Sequence, residues 1–358
     1  MIHRKPNLRY TGPEMISIII INYNSKELLE PCIQRILQQT YMDREIIFID
    51  NDSKDGSCPL VKEKFPNITA VCNTENSGYG GAADQGIKLA KGEYIMIMNP
   101  DVRLTPDYIE KCIARLEEDQ KIAAITGKIY KYDFEKDEPT NQIDTVGLFC
   151  FRNRRIIDDG QGLEDNGQFG QEKEVFGVSG ACPIYRKESL EDIKVMDEYL
   201  DQNFFMYKED VDLSWRLLLA GWKCLYYPLA VAYHGRGTGV LKRFTNIEVY
   251  KNRSQLSKFQ KYYSYKNQRL MQLKNETWGT YLADFFPILG KEILVFGYML
   301  LREPSIFKAW FEMVKQIPST LKKRRIIQKN RKVSSKEMRK WLSGKQSQYL
   351  QHEKNPNT

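Results

Sequence analysis

Asp101 closes the run Tyr94-Ile95-Met96-Ile97-Met98-Asn99-Pro100-Asp101. The apolar stretch, bounded by Gly92 and Pro100, reads as an interior strand of a parallel sheet, and such sheets bind ligands beyond the carboxyl ends of their strands. A desolvated carboxylate there is costly unless it meets a cation or several hydrogen-bond donors. A metal ion or a sugar hydroxyl would satisfy it. A second constellation lies far downstream, in Tyr207-Lys208-Glu209-Asp210-Val211-Asp212-Leu213-Ser214-Trp215-Arg216 and Tyr233-His234-Gly235-Arg236-Gly237. His3 and His352 lie in the terminal tails, so His234 is the one internal histidine. Taken singly, acids in a first helical turn complement the helix dipole, and a lone histidine is a structural residue.

Two further clusters have the composition of a nucleotide site. Asn22-Tyr23-Asn24 ends one apolar run and Asp50-Asn51-Asp52-Ser53-Lys54-Asp55-Gly56-Ser57 follows another. Tyr23 could stack on a base while Asp50 or Asn51 reads its edge through hydrogen bonds; the competing reading of 52–56 is an ordinary turn and N-cap. Asn76-Ser77-Gly78-Tyr79-Gly80-Gly81-Ala82-Ala83 matches GxGxxA, the dinucleotide fingerprint, and Asp101 follows Ala83 at a spacing near that of a ribose-binding acid. That fingerprint usually follows the first strand of its fold, however, and a dinucleotide site leaves 22–24 and 50–56 without a role.

The elements that must position these residues alternate between buried strand and amphipathic helix. Strands are expected at 16–22, 45–50, 68–73 and 94–99, with helices near 26–39, 57–65 and 79–91, which predicts right-handed βαβ units and a parallel sheet. A helix opening at Thr105-Pro106, a strand near 123–130 and a loop-rich stretch over 131–172 follow. An apolar segment, 174–186, leads to a helix at 208–221 and a strand at 223–228, and residues 241–358 read as mostly helical.

At 358 residues and 42% hydrophobic content the chain can bury one large core or two moderate ones. The net charge of +8 divides unevenly: residues 241–358 carry 25 Lys+Arg against 8 Asp+Glu (+17), and residues 1–240 carry 29 against 38 (−9). An acidic body with a basic tail argues against nucleic acid and for a catalytic domain tethered to something anionic. Seven scattered cysteines without CxxC spacing point to a reducing compartment and away from zinc. The first residues hold no apolar signal region and no stretch reaches about 18 uncharged apolar residues, so a cytoplasmic location without a simple span is expected.

Taken together and in order, from about Met15 to Gly239, these motifs resemble the family 2 glycosyltransferases of GT-A fold, and more narrowly their bacterial rhamnosyltransferase-like members. The resemblance implies an α/β fold with a mostly parallel mixed sheet and a helical C-terminal extension. It makes Asn99-Pro100-Asp101-Val102 a variant of the DxD motif, with Asp101 as ligand of a divalent cation on the donor diphosphate and Asn99 in place of the first acid. It makes Asp210, in Glu209-Asp210-Val211-Asp212, the catalytic base, and His234 the residue that completes metal binding. Asn22, Tyr23, Asn24, Asp50, Asn51, Ser53, Asn76, Gly78, Asn99 and Asp101 are then expected on the donor side, and Ser179, Gly180, Ala181 and Glu209 along the acceptor cleft. The implied reaction inverts the anomeric carbon and needs Mg²⁺ or Mn²⁺. A dTDP-β-L-rhamnose donor and a lipid-linked saccharide acceptor are expected from the resemblance alone.

The segment Phe285–Leu301 is apolar but interrupted by Pro287, Lys291 and Glu292, which suits an interfacial helix better than a span; a core helix is the other reading. Leu321–Lys332 carries seven basic residues, each able to gain about 1 kcal/mol at an anionic leaflet. On this reading residues 1–240 form the catalytic domain and 241–358 a membrane-attachment region on the inner face of the cell membrane. Residues 15–240 are then expected to bind donor alone, and charge reversal within Lys322–Arg325 to spare any packing face. The rivals are an NAD-dependent oxidoreductase built on the glycine fingerprint and a noncatalytic membrane or nucleic-acid adaptor built on the tail.

Overall fold

A computed structural model describes residues 14–235, 253–303 and 306–342. Its first strand, β1 (Ile16–Asn22), is buried at every position, as a β-branched run flanked by strands and covered on both faces must be. After α1 (Lys26–Leu37) come β2 (Arg44–Asp50), α2 (Ser57–Lys64), β3 (Thr69–Cys72), α3 (Gly78–Leu89) and β4 (Tyr94–Met98). β1 pairs in parallel with β2 and β4, and β2 with β3, so Asn22 stands level with Asp50 and Ile20 with Met98. The chain therefore reverses its strand order at β1 and β4, and a crevice opens beyond their carboxyl ends.

The second half continues with β5 (Val102–Leu104), α4 (Tyr108–Glu118), β6 (Ile122–Asp133), β7 (Glu138–Thr145), β8 (Leu148–Cys150), β9 (Ile156–Asp158), β10 (Lys173–Val175), β11 (Ile184–Arg186), α5 (Lys187–Asp192), α6 (Glu209–Leu219) and β12 (Lys223–His234). The main sheet runs β10-β12-β6-β11-β4-β1-β2-β3, with β5 on β12 and β7 on β6. Alternate residues feed one core on each face, Ile18, Ile20, Phe48 and Met96 on one side, Ile19, Ile21, Ile47 and Ile97 on the other.

Three expectations differ from the structure. The stretch 131–172, expected as loop, contains β7, β8 and β9; β7 buries only Ile143, Asp144 and Thr145, and three-residue strands are too short for alternation to register. β12 runs six residues past its expected end at 228, across an irregularity between Tyr227 and Val231. That extension carries His234 to Val102, its partner on β5. Cys58 and Cys72, expected as separate thiols, are joined as a disulfide, and the other five cysteines are buried and free.

The described C-terminal part is helical: α7 (Lys258–Asn275), α8 (Trp278–Ala283), α9 (Phe285–Arg302), α10 (Phe307–Asn330) and α11 (Ser335–Met338). α7 opens on a capping box formed by Ser257 and Gln260. Its buried stripe combines Leu270 and Met271 with Lys266, Asn267, Lys274 and Asn275. These polar groups reach the α/β unit: Lys274 pairs with Asp201 and Asp212, Asn275 donates to Asp212 at 2.7 Å, and Lys266 donates to the Asn203 carbonyl at 2.6 Å. From α10, Lys323 binds Asp201 and Glu198, each at 2.6 Å, and Arg324 caps the end of α7 through the carbonyls of Leu273 and Glu276.

The basic run is thus partly internal. Lys323 and Arg324 hold helices to the core, while Lys322, Arg325 and Lys329 are exposed. Charge reversal across Lys322–Arg325 would break packing, contrary to the expectation that it spares it. Truncation after residue 245 would strip cations from Asp201 and Asp212. Among the described residues no helix is long and apolar enough to cross a membrane.

Candidate active site

The carboxyl ends of β1 and β2 form a polar network in which Asn22 Oδ1 is buried without a hydrogen-bond partner. Asn22 donates to Asp50 at 2.7 Å and to the Ser53 hydroxyl at 3.0 Å, and the Asn24 and Ser53 backbone N–H groups bond to Ser53 Oγ and Asp50 Oδ2. Asn51 holds the entry to α3 by donating to Asn76 and the Gly78 carbonyl, and by accepting from Ser77. Asp50 and Asn51 are buried and fully engaged in this scaffold, whereas Tyr23 is half exposed and offers a ring face to solvent. The glycine at 78 has a local cause. Its φ is +75°, and a Cβ there would lie 2.2 Å from the Phe205 carbonyl oxygen. Close chain approach accounts for the start of the GxGxxA match without a pyrophosphate.

Beyond β4, Asp101 meets the end of β12. The Asp101 backbone carbonyl accepts from Gly235 N–H at 3.0 Å, and Asp101 Oδ1 lies 3.3 Å from His234 Nε2. On the far side of the ring, His234 Nδ1 lies 2.9 Å from Oδ2 of Asp144, a fully buried residue of β7. Burial would lower the His234 pKa, but bonds to Asp101 and Asp144 outweigh it and raise the value to about 9. Asp144 was not singled out from the sequence: a lone Asp in Asn-Gln-Ile-Asp-Thr carries no motif, and only the pairing of β7 with β6, next to β12, brings it to His234.

A cleft of about 440 Å³ adjoins this group and is lined by Asn99, Ser179, Gly180, Ala181, Glu209, Asp210 and His234, along with Tyr79 and Asp158. Asn22–Asn24, Asp50–Ser53, Asn76 and Gly78 lie outside its lining, at the neighbouring strand ends. Asp210 Oδ2 accepts from the Gly180 N–H at 3.0 Å and Oδ1 from Val211 N–H at 2.8 Å. The neighbouring Glu209 Oε2 is buried without a hydrogen-bond partner. Burial and then the charge of Asp210 push Glu209 up to about 8, which favours its protonated form. Burial and then Asp158 raise Asp210 as well, opposed by Lys208 and by the two backbone N–H bonds. The two backbone N–H donors favour placing the anion of this pair on Asp210.

The chain entering α6 is held in an unusual conformation: Phe205, Tyr207 and Lys208 have φ of 63°, 71° and 77°. Such left-handed residues cost about 1–3 kcal/mol each unless neighbours enforce them. Asn267 does so from α7, its amide nitrogen facing the carbonyls of Phe204, Met206 and Tyr207 at 2.9, 2.8 and 2.8 Å. Asn267→Leu is therefore expected to destabilise the protein by about 1–3 kcal/mol in urea titrations and to slow any reaction that depends on Asp210. Unchanged stability and turnover together would contradict this role.

The donor set around Asp101 suits a cation that brings its own ligands. Asp101 Oδ1 is buried and lacks a hydrogen-bond partner apart from the nearby imidazole. No cluster of three or more His, Cys, Asp or Glu able to hold a metal occurs among the described residues. Two protein ligands fit a divalent ion whose remaining positions are filled by phosphate oxygens and water.

Comparison with known proteins agrees with this architecture. Poly-β-1,6-N-acetyl-D-glucosamine synthase of Staphylococcus aureus (strain COL) is 26% identical over 238 residues, 65% of this chain and 52% of that protein. The chain thus spans about half the length of such relatives. Among solved structures, S. aureus TarS 1–349 aligns with TM-score 0.51 and 15% identity, covering 85% of this chain and 81% of that one. GalNAc-T7 with UDP, GalNAc and Mn²⁺ aligns with TM-score 0.53 and 14% identity, covering 73% and 48%. At these identities the structural likenesses speak to fold. The model of glycosyl transferase family 2 matches residues 17–194, and with the mixed sheet described above this identifies a family 2 glycosyltransferase domain of GT-A fold.

Proposed function

We propose that the protein is an inverting, metal-dependent glycosyltransferase that moves a sugar from a nucleotide donor to a hydroxyl of a lipid-linked saccharide, at the inner face of a cell membrane. The observation that carries this reading is the half-buried, donor-stabilised carboxylate of Asp210 in the same cleft as His234, whose ring meets Asp101. The acceptor oxygen attacks the anomeric carbon as its proton passes to Asp210. The bond from that carbon to the phosphate oxygen breaks, and the nucleoside diphosphate leaves with the electron pair. Attack from the face opposite the leaving group inverts the centre. A bound Mg²⁺ or Mn²⁺ would supply Lewis-acid neutralisation of the diphosphate, held on this chain by Asp101 and His234.

Rhamnose from dTDP-β-L-rhamnose is the donor implied by the motif resemblance. A UDP-sugar donor is the second reading, favoured by the N-acetylglucosamine in the name of the S. aureus relative and the UDP in the GalNAc-T7 structure. The oxidoreductase reading loses support because Gly78 is already explained by its contact with Phe205.

The test is nucleoside diphosphate release from each donor in the presence of a saccharide acceptor, with Mn²⁺ or with excess chelator. Release that needs the metal is expected; full activity in chelator would overturn the metal-assisted scheme. Asp144→Asn is expected to weaken Mn²⁺ binding by about 10–100-fold, because a carboxylate behind a ligating imidazole orients it. Asp101→Ala and His234→Ala should weaken it at least as much. Calorimetric titration of Mn²⁺ checks all three, and wild-type affinity in Asp144→Asn would reject its positioning role.

A further inference from the structure

The helix α9 has its polarity inverted. Its mid-helix charged residues Lys291 and Glu292 turn towards α7, where Glu292 pairs with Arg269 and, at 2.8 Å, with Lys291, and Arg302 at its end is exposed. Its outward face holds Phe286, Leu289, Ile293, Leu294, Phe296, Leu300 and Leu301, with Phe286 81% and Leu301 82% exposed, and only Ile288 and Met299 of the helix are buried. Water as the outer medium would favour the opposite arrangement. The patch continues through Trp278 and Leu282 and along the first half of α10, where Phe307, Trp310, Phe311 and Val314 are also exposed. Apolar exposure on this scale, on helices that meet through Met299, Ile306 and Ala309, marks an interaction site.

The second half of α10 indicates what covers it. Past Leu321 the exposed positions on the helix become Lys322, Arg325, Lys329 and Asn330, after Lys308 and Lys315 alongside the apolar half, while Lys332 beyond its end pairs with Asp192. A surface with an apolar stripe, aromatic residues at its margin and an adjoining row of cations matches an anionic bilayer, whose hydrocarbon takes the apolar side chains and whose headgroups meet the cations. We infer that the outer face of α9 and the exposed face of α10 lie in the plane of an anionic membrane, with α9 inserted to the acyl boundary. The attachment differs from the one expected from sequence: Lys323 and Arg324 are occupied internally, and the apolar face of α9 makes the main contact. This deepens the proposed transfer to a lipid-linked acceptor by naming the surface on which it occurs, but it rests on the helices alone.

Flotation of the full chain with phosphatidylcholine vesicles, with and without phosphatidylglycerol, tests it without any nucleotide sugar, so failure of the transferase reading leaves the outcome interpretable. Binding is expected with phosphatidylglycerol and should weaken with salt. Phe286→Ser combined with Leu301→Ser should lower partitioning by about tenfold or more, and Arg325→Glu combined with Lys329→Glu should reduce it at low salt. All four positions are exposed, and unchanged circular dichroism melting would show that the fold is kept. Wild-type flotation of both folded variants would overturn the inference. So would a concentration-dependent dimer in lipid-free solution that Phe286→Ser with Leu301→Ser dissociates, because the face would then belong to a second copy of the chain.

Discussion

Asp210→Asn is expected to cut turnover by about 10²–10⁴-fold while leaving nucleotide-sugar affinity near wild type. In the proposed mechanism the carboxylate takes the acceptor proton in the transition state and has no part in binding the nucleotide. Glu209→Gln is the informative control. With Glu209 pushed up to about 8, the amide resembles the protonated acid already present, so turnover at neutral pH should be largely retained. Loss of activity in Glu209→Gln with retention in Asp210→Asn would transfer the role to the neighbouring residue. The pH profile adds a check with a defined sign. A base works unprotonated, and burial raises Asp210, so turnover should rise with pH along an acid limb displaced upward from the ordinary Asp value of 3.8.

The second large effect concerns the join between the α/β unit and the C-terminal helices. Lys274→Met removes a cation shared by Asp201 and Asp212, both almost fully buried. Breaking a buried pair from one side costs about 3–5 kcal/mol, since the remaining carboxylates lose their compensation. Lys323 and Arg216 remain on Asp201 and Asp212 respectively, at 2.6 and 3.0 Å, which limits the loss without cancelling it. Burial would raise the Asp201 pKa, but Lys274 and Lys323 outweigh it and hold the carboxyl well below its ordinary 3.8. A depressed folded-state value contributes stability above 3.8 that disappears as pH falls through it. Lys274→Met should therefore lower the urea midpoint at neutral pH and flatten the decline of stability with acid. A loss below about 1 kcal/mol, with an unchanged acid dependence, would show that the join is held by apolar contacts, such as the cluster of Trp215 with Leu270, Met271 and Ile327.

The parallel half of the fold was legible because its strands are buried on both faces. Ile16–Ile21 and Tyr94–Met98 read as strands by composition alone, and Asp101 could be placed at a ligand edge from that reading. The motif order also brought Asp210 and His234 under consideration, and the fold puts both on one cleft. What escaped was tertiary. Asp144 is meaningful only once β7 pairs with β6, and Asn267 only once α7 lies under the left-handed turn at 205–208. Lys274 and Lys323 look like surface charges in sequence because nothing local reveals the buried Asp201 that fixes them. The apolar character of α9 was visible, but which way its charged side faced was not, since an interfacial helix and a core helix share the same periodicity.

The most direct test of the central claim is a calorimetric binding series with dTDP-rhamnose, UDP-sugars and NAD, each with and without Mn²⁺, on wild type, His234→Ala and Asp210→Asn. A nucleotide sugar should bind with Mn²⁺, lose most of that binding in His234→Ala and keep it in Asp210→Asn, which would bind but not turn over. Binding of NAD without metal, with no response to any nucleotide sugar, would contradict the account.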